Sequence, residues 1–162
     1  MNPEQGVVDL IEQGRNWLPI LELAAKEVFE IMLACVLETA DIDQTKPPAE
    51  FTAMVGFAGQ LSGVLTLQCS TPSAALMASK MLGVTPDQAD SQMWDAIGEI
   101  CNMIAGNFKN KLTGPASRCM LSPPTVITGG DYRFHPLSDG ETFEVLLMFE
   151  GAPLLIGLEL HR

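Results

Sequence analysis

The strongest constraint on the fold is a pattern that occurs twice, in which a helical segment precedes two apolar-rich runs around a short turn. The first pair of runs spans residues 51–57 and 61–68, and the second spans 143–149 and 154–160. Short apolar runs on either side of a glycine-containing turn are typical of β-hairpins. The pattern predicts an α+β fold in which two pseudo-duplicated helix–hairpin halves form one antiparallel sheet covered by long helices.

Helical periodicity predicts the elements around these hairpins. Apolar residues recur at helical spacing in 7–38, where a break is expected near Pro19, and further helices are predicted at 72–82 and 87–112. Residues 125–128 predict an additional strand, and a polar loop follows it before the second hairpin.

Composition restricts the classes of partner. With 162 residues, 47% of them hydrophobic, we expect one domain over 1–162, with 1–16 as a possible N-terminal extension. The net charge of −11 argues against nucleic acid and anionic membranes as partners and favours a protein with a basic surface. No apolar run approaches the roughly 20 residues of a membrane-spanning helix, and the N-terminus lacks a signal sequence, so we expect a cytoplasmic protein.

The cysteines and histidines form no metal or nucleophile motif. Four cysteines lie far apart without a Cys-x-x-Cys pair, and no histidine has metal-ligand spacing. His135 and His161 are isolated, in a loop and near the C-terminus. We therefore expect buried free thiols and no metal site of the chain's own.

Chemistry is expected in the helix that contains residues 95–107. A helical wheel gives it a core side of Trp94, Ile97, Ile100, Cys101, Ile104, Phe108 and Leu112. The opposite side carries Gln92, Asp95, Glu99, Asn102, Met103, Gly106 and Asn110. Gly98 and Ala105 lie between the two sides, where small residues permit close approach of another helix.

Glu99 and Asn102 are the candidate functional pair. They are three residues apart, so they stand side by side, and a carboxylate can bind a cation there while a carboxamide orients a water. Gly106 costs roughly 1 kcal/mol relative to alanine, but it lowers the surface beside Asn102. Met103 offers an exposed, adaptable apolar contact. The alternative is a polar face without function, because exposed helix faces are commonly polar.

The spacing Asp95-x-x-x-Glu99-x-x-Asn102-x-x-x-Gly106 resembles the signature of the CheC/CheX/FliY phosphatases of bacterial chemotaxis. The whole stretch 95–107 closely resembles the corresponding helix of CheX-type members. Further similarity covers the family's first long helix, its first hairpin and the strand after the active helix, at residues 28–33, 56–65 and 124–129. The resemblance extends over almost the whole chain.

This resemblance implies a phosphatase that hydrolyses the aspartyl phosphate of a CheY-like response regulator in two-component signalling. Glu99 would pair with a lysine of the regulator, and Asn102 would orient the attacking water. Asp95, Met103 and Gly106 would contact the partner. The regulator would supply Mg²⁺, and the chain would need no cofactor of its own. The alternative function is a non-catalytic CheX-like adaptor that binds a receiver domain.

The first helix carries an incomplete copy of the functional pair. It offers Glu30 but has Leu33 where an amide would be needed, and a pair formed by Glu27 and Glu30 also lacks the amide. Leucine cannot orient water, so we predict one catalytic site per chain, with Glu30 as a structural or solvated residue. The single-site pattern resembles CheX-type members, which implies a homodimer, formed through sheet edges.

Overall fold

An antiparallel sheet unites the two hairpins in the computed structural model, which describes residues 3–41, 43, 46–132 and 140–161, with side chains from residue 16 onward. The helices are α1 (Pro3–Leu33), α2 (Thr71–Leu82), α3 (Pro86–Ala89) and α4 (Met93–Lys111). The strands are β1 (Glu38–Thr39), β2 (Phe51–Gly59), β3 (Gly63–Cys69), β4 (Cys119–Leu121), β5 (Thr125–Thr128), β6 (Glu141–Phe149) and β7 (Ala152–Leu160). Their order in the sheet is β1-β6-β7-β3-β2-β4, and β5 also pairs with β2.

Pairing between β3 and β7 joins the two hairpins into one sheet. The register runs from Gly63 opposite Leu160 to Gln68 opposite Leu155. The hairpins themselves form between β2 and β3 and between β6 and β7, as the apolar runs predicted. Alternate residues of β3 are buried, as expected for a strand with one face against the core. The predicted fold class is confirmed.

Each long helix packs on the hairpin of the other half. Helix α1 precedes the first hairpin along the chain but contacts β6, whereas α4 precedes the second hairpin but contacts β2 and β3. Phe29 on α1 meets Phe149 edge to face, with 5.4 Å between ring centroids. Phe108 on α4 meets Phe57 on β2 in the same way at 6.0 Å. The two halves therefore share one core.

The first helix differs from its predicted limits. Pro19 lies inside α1, so the predicted break is wrong, even though proline supplies no backbone donor there. The helix also ends earlier than predicted, because Ala34 has a left-handed backbone with φ of 50°. The Cys35 N–H then donates to the Phe29 carbonyl oxygen at 3.2 Å, as in other helix C-caps. The residues that follow become extended and form β1.

The single helix predicted over 87–112 is three shorter elements. Helix α3 is followed by a 3₁₀ turn at Asp90–Gln92 before α4 begins at Met93. The Thr85 N–H donates to the Gln88 side-chain oxygen at 3.2 Å at the start of α3. Apolar periodicity does not reveal a tightened turn of three residues. It also missed β4, because three residues are too few to show strand alternation.

The second helix and the cysteines agree with the predictions. The Ser70 hydroxyl oxygen accepts a hydrogen bond from the Ser73 N–H at 3.3 Å at the start of α2. Gly83, with φ of 68°, ends this helix. All four cysteines are buried and free.

The remaining expectations concern membranes and histidines. No helix within the described ranges is long and apolar enough to cross a bilayer. The imidazole Nε2 of His161 lies 3.2 Å from the Glu159 carboxylate. His135 and most of the predicted polar loop lie outside the described residues.

Gly63 allows the close approach of β3 to β7. A Cβ atom at this position would lie 2.1 Å from the carbonyl oxygen of Glu159. Because backbone would have to move, we expect Gly63→Ala to lower the free energy of unfolding by about 2 to 3 kcal/mol in urea denaturation. Gly130→Ala is the control, since a Cβ there meets no atom within 4 Å. Equal effects of the two substitutions would contradict the prediction.

Candidate functional site

The buried side of α4 matches the helical wheel except at the first turn. The residues predicted for the core and found buried are Ile97, Ile100, Cys101, Ile104, Phe108 and Leu112. Trp94 is 49% exposed, so its predicted core position is wrong. Met93 and Ala96 occupy the buried side of the first turn instead, at 6% and 5% exposure, and the indole of Trp94 remains at the surface.

Glu99 and Asn102 lie on the accessible side of α4. Glu99 is exposed and Asn102 is half-buried. Within the part of the chain that the structure describes, neither side chain makes a hydrogen bond or an ion pair. A carboxylate and a carboxamide in this state are available to a second molecule.

Two open clefts share the carboxylates of Asp95 and Glu99, which we call the acidic pair. The larger cleft has a volume of about 480 Å³ and is lined by Trp94, Asp95, Gly98, Glu99, Pro124 and Val126. The smaller has about 290 Å³, lies at the end of α2 and is lined by Met81, Leu82, Gln92, Asp95, Ala96 and Glu99. The structure therefore brings the acidic pair together. Three other predicted site residues follow on the same helix but line neither cleft: Asn102, Met103 and Gly106.

Gly98 lets α4 approach a strand rather than another helix. A Cβ atom on Gly98 would lie 3.2 Å from Cγ2 of Val126 on β5 and 3.6 Å from Cβ of Pro124. The expected helix–helix contact at Gly98 is therefore wrong. Gly98 lines the larger cleft, and the absence of a side chain there leaves this part of the cleft open.

Met103 and Gly106 contribute differently to the surface near Asn102. Met103 is half-buried and packs against the hydrophobic core, so the expectation of an exposed side chain is wrong. A Cβ atom on Gly106 would meet nothing within 4 Å, which leaves an open approach to this face. Both residues remain predicted partner contacts.

Asn107 holds α4 against α1, a role that the sequence did not reveal. Its side-chain N–H groups donate to the Ala24 carbonyl oxygen at 3.2 Å and to the Glu27 carboxylate at 2.8 Å. Lys111, one turn further along, lies 2.7 Å from the same carboxylate. We call Glu27, Asn107 and Lys111 the brace. The i, i+4 spacing of Asn107 and Lys111 was a usable signal, but it did not identify the partner on α1.

The counterpart of the functional pair on α1 is incomplete in space as well as in sequence. Glu30 is exposed, whereas Leu33 is 4% exposed and belongs to the core. Glu27, the alternative acid, is used by the brace. Thus, from residue 16 onward, α1 presents no exposed carboxylate with an amide three residues later.

Two titratable groups on or beside α4 have shifted pKa values: Glu27 because of the brace, and Cys101 because of burial. The hydrogen bond from Lys111, and then that from Asn107, lowers the pKa of Glu27 from its ordinary value. Burial raises the pKa of the Cys101 thiol to about 12, which agrees with its predicted core role and removes it as a nucleophile. No group of three or more histidine, cysteine or acidic residues that could hold a metal occurs among the described residues.

Comparison with known proteins identifies the family. The model of a family described as chemotaxis phosphatase CheX matches residues 51–147, a segment that contains α4 and its site residues. The chain belongs to the CheX family. The CheY-P phosphatase CheX of Thermotoga maritima is 32% identical over 87 residues, which are 53% of this chain and 56% of that protein. The chain thus matches little more than half the length of this curated relative.

Solved structures of the CheC/CheX/FliY group have the same fold. A CheC-like protein from Shewanella sp. PV-4 superposes with a TM-score of 0.76 at 21% identity, covering 90% of this chain and 97% of that one. CheX in a CheX–CheY–BeF₃–Mg²⁺ complex from Borrelia burgdorferi gives a TM-score of 0.70 at 20% identity, with 90% and 98% covered. The resemblance carried by residues 95–107 is therefore confirmed for family and fold.

The brace predicts a pH-dependent contribution of Glu27 to stability. Because the folded pKa lies below the ordinary value of 4.5, the ionised carboxylate stabilises the fold above that pH and loses this effect as pH falls through the folded pKa. We expect Glu27→Gln to destabilise the protein at neutral pH. Its difference from the wild type should shrink below pH 4.5, as followed by urea unfolding across this range. Glu30→Gln is the control on the same helix, and an equal, pH-dependent effect of both substitutions would contradict the prediction.

Proposed function

We propose that this CheX-family protein is a phosphatase that removes phosphate from the aspartyl phosphate of a CheY-like response regulator. The observation that carries the proposal is the accessible face of α4, on which Glu99 and Asn102 have no partner within the described residues. A relative is named a CheY-P phosphatase, and a CheX with this fold is held in a complex with CheY. The activity given for this relative and the composition of this complex both support the proposal.

Asn102 orients the attacking water in this proposal. The water oxygen forms a bond to phosphorus while the bond from phosphorus to the aspartyl oxygen breaks. The carboxylate leaves, and the protons of the water remain on the released phosphate. An acyl phosphate is already reactive, so positioning is the main requirement. A ~100-fold acceleration corresponds to a barrier lowered by about 2.7 kcal/mol.

An amide suits this position better than an acid. Asn102 is neutral and has both donor and acceptor groups, whereas a carboxylate would repel the negative phosphoryl group. Glu99 pairs with a lysine of the regulator. Asn102, about one helical turn further along α4, enters the phosphorylation site of the regulator. Asp95, Met103 and Gly106 form the surrounding contact surface.

In this scheme the regulator would supply Mg²⁺, and the presence of Mg²⁺ together with CheY in the Borrelia complex supports this. When bound, Mg²⁺ would neutralise charge on the phosphoryl oxygens. The acidic pair of this chain is reserved for contact with the regulator. We further propose that the protein acts in the cytoplasm as a homodimer, with one functional pair in each chain.

Substitution of the functional pair tests the catalytic proposal. The substrate is a CheY protein phosphorylated with acetyl phosphate. We expect Asn102→Ala to lower kcat for its dephosphorylation about 100-fold, because the water is no longer positioned. Glu99→Ala should lower kcat/KM about 10-fold or more, because the ion pair with the regulator is lost. The readout is the release of inorganic phosphate over time.

Two residues serve as matched controls. Asn110→Ala removes an exposed amide from the same helix, and Glu30→Ala removes an exposed carboxylate from α1. Both variants should retain the wild-type rate. If the wild-type protein binds phosphorylated CheY without changing its decay, the enzyme proposal is wrong and the adaptor function replaces it.

Substitutions at the two edges of the sheet test the proposed homodimer. One edge is β1, preceded by Val36 at 75% exposure, and β4 at the other end of the strand order carries Met120 at 77% exposure. We expect sedimentation equilibrium to show a dimer, and a lysine at one of these two positions to weaken it by placing charge on an apolar contact. A monomeric wild type would contradict the dimer. A dimer that resists both substitutions would contradict the edge geometry.

A further inference from the structure

We propose that the larger cleft beside α4 receives a second basic side chain of the receiver domain, distinct from the lysine that pairs with Glu99. In this arrangement the aliphatic stem lies along Trp94 and the charged end reaches Asp95. The inference rests on the proposed function, since it concerns how the same partner is held. It gives Trp94, which lies outside the functional pair of Glu99 and Asn102, a role in the choice of partner.

The exposure of Trp94 is the first observation. Half of this side chain is accessible, and it lines the cleft within the first turn of α4. Tryptophan, tyrosine and arginine are enriched among the residues that dominate binding energy at protein interfaces. An indole beside a cleft also attracts a cation through its π-system. The wall formed by Trp94 is therefore suited to a side chain that carries positive charge.

The remaining lining makes the cleft amphipathic. Pro124 and Val126 give it an apolar side, and Gly98 adds no side chain that would fill it. Asp95 and Glu99 give it two carboxylates. Lysine and arginine combine an apolar stem with a charged head, so both parts of such a side chain find a complementary surface here.

The charges around the larger cleft favour a basic side chain as its occupant. Among the described residues, no basic side chain lines either cleft, and the basic residues of α4, Lys109 and Lys111, lie in its last turn. Lys111 is already paired with Glu27 in the brace. With a net charge of −11, the chain attracts basic surfaces and repels acidic ones. Glu99 and Asp95 are one turn apart, so two basic groups can be accommodated side by side.

The test separates binding from hydrolysis with the full chain. We expect Trp94→Ala to raise KM for acetyl-phosphate-treated CheY about 5- to 30-fold, with kcat within about 2-fold of the wild type. Trp94→Phe should restore most of the affinity, because it keeps an aromatic face. Asp95→Asn should raise KM at low ionic strength, and this difference should disappear in high salt.

A binding signal completes the experiment. Addition of beryllofluoride-treated CheY should change the tryptophan fluorescence of the wild type but not that of Trp94→Phe. Leu23→Ala is the matched control, because Leu23 is also 49% exposed but lies on α1. Its KM should equal that of the wild type, and thermal melting should show that each variant folds.

Each contrary result identifies what has failed. A KM for Trp94→Ala equal to that of Leu23→Ala overturns the inference, even if Asn102→Ala is inactive. A salt-independent effect of Asp95→Asn overturns the basic occupant in favour of an apolar one. Full activity of Asn102→Ala, together with a fluorescence change that requires Trp94, overturns the catalytic proposal but leaves the cleft as the docking site.

Discussion

The packing of each long helix on the opposite hairpin is the constraint on which the candidate site depends. Phe108 holds α4 to β2 through its contact with Phe57, while Phe29 holds α1 to β6 through Phe149. An edge-to-face pair adds about 0.5–1.5 kcal/mol to the effect of burial alone. Both helices rest on strands from the other half of the chain, and for α4 the supporting strands β2 and β3 belong to the first half.

The brace refines this placement where α4 meets α1. Burial fixes the depth of a helix, but a smooth apolar contact allows sliding and rotation. The bonds from Asn107 to Ala24 and Glu27, together with the ion pair of Lys111, have directional requirements that restrict both motions. The accessible face of α4 is thereby presented at a defined angle, which a mechanism based on positioning a single water requires.

Sequence periodicity was sufficient for the two hairpins, α2 and most of the buried side of α4, because these features depend on local patterns of apolar residues. It was insufficient where tertiary contacts decide. Trp94 has the character of a core residue, but the helix starts at Met93, which occupies the buried position. Gly98 suggested a neighbouring helix, yet its neighbour is β5. The partners of Asn107, Glu27 and Ala24, lie 80 and 83 positions away in α1, beyond the reach of any periodicity.

The candidate functional pair was likewise only partly predictable from the sequence. Spacing alone placed Glu99 and Asn102 on one face, and the resemblance supplied a chemistry for them. The clefts beside the acidic pair could not be foreseen, because their walls come from α2 and from the segment that contains Pro124 and Val126. These walls are set by the fold as a whole.

The sheet order has a kinetic consequence. Strand β7 lies between β6 and β3, so the pairing that unites the sheet uses residues 152–160, near the end of the sequence. During synthesis, β2 and β3 can pair early, but β3 then keeps an open edge until residue 160 has left the ribosome. The partners joined by this step are about 90 residues apart along the chain, and contacts of such separation form slowly. A nascent chain therefore exposes the edge of β3 until β7 has been synthesised, which is the interval in which chaperone binding would matter most.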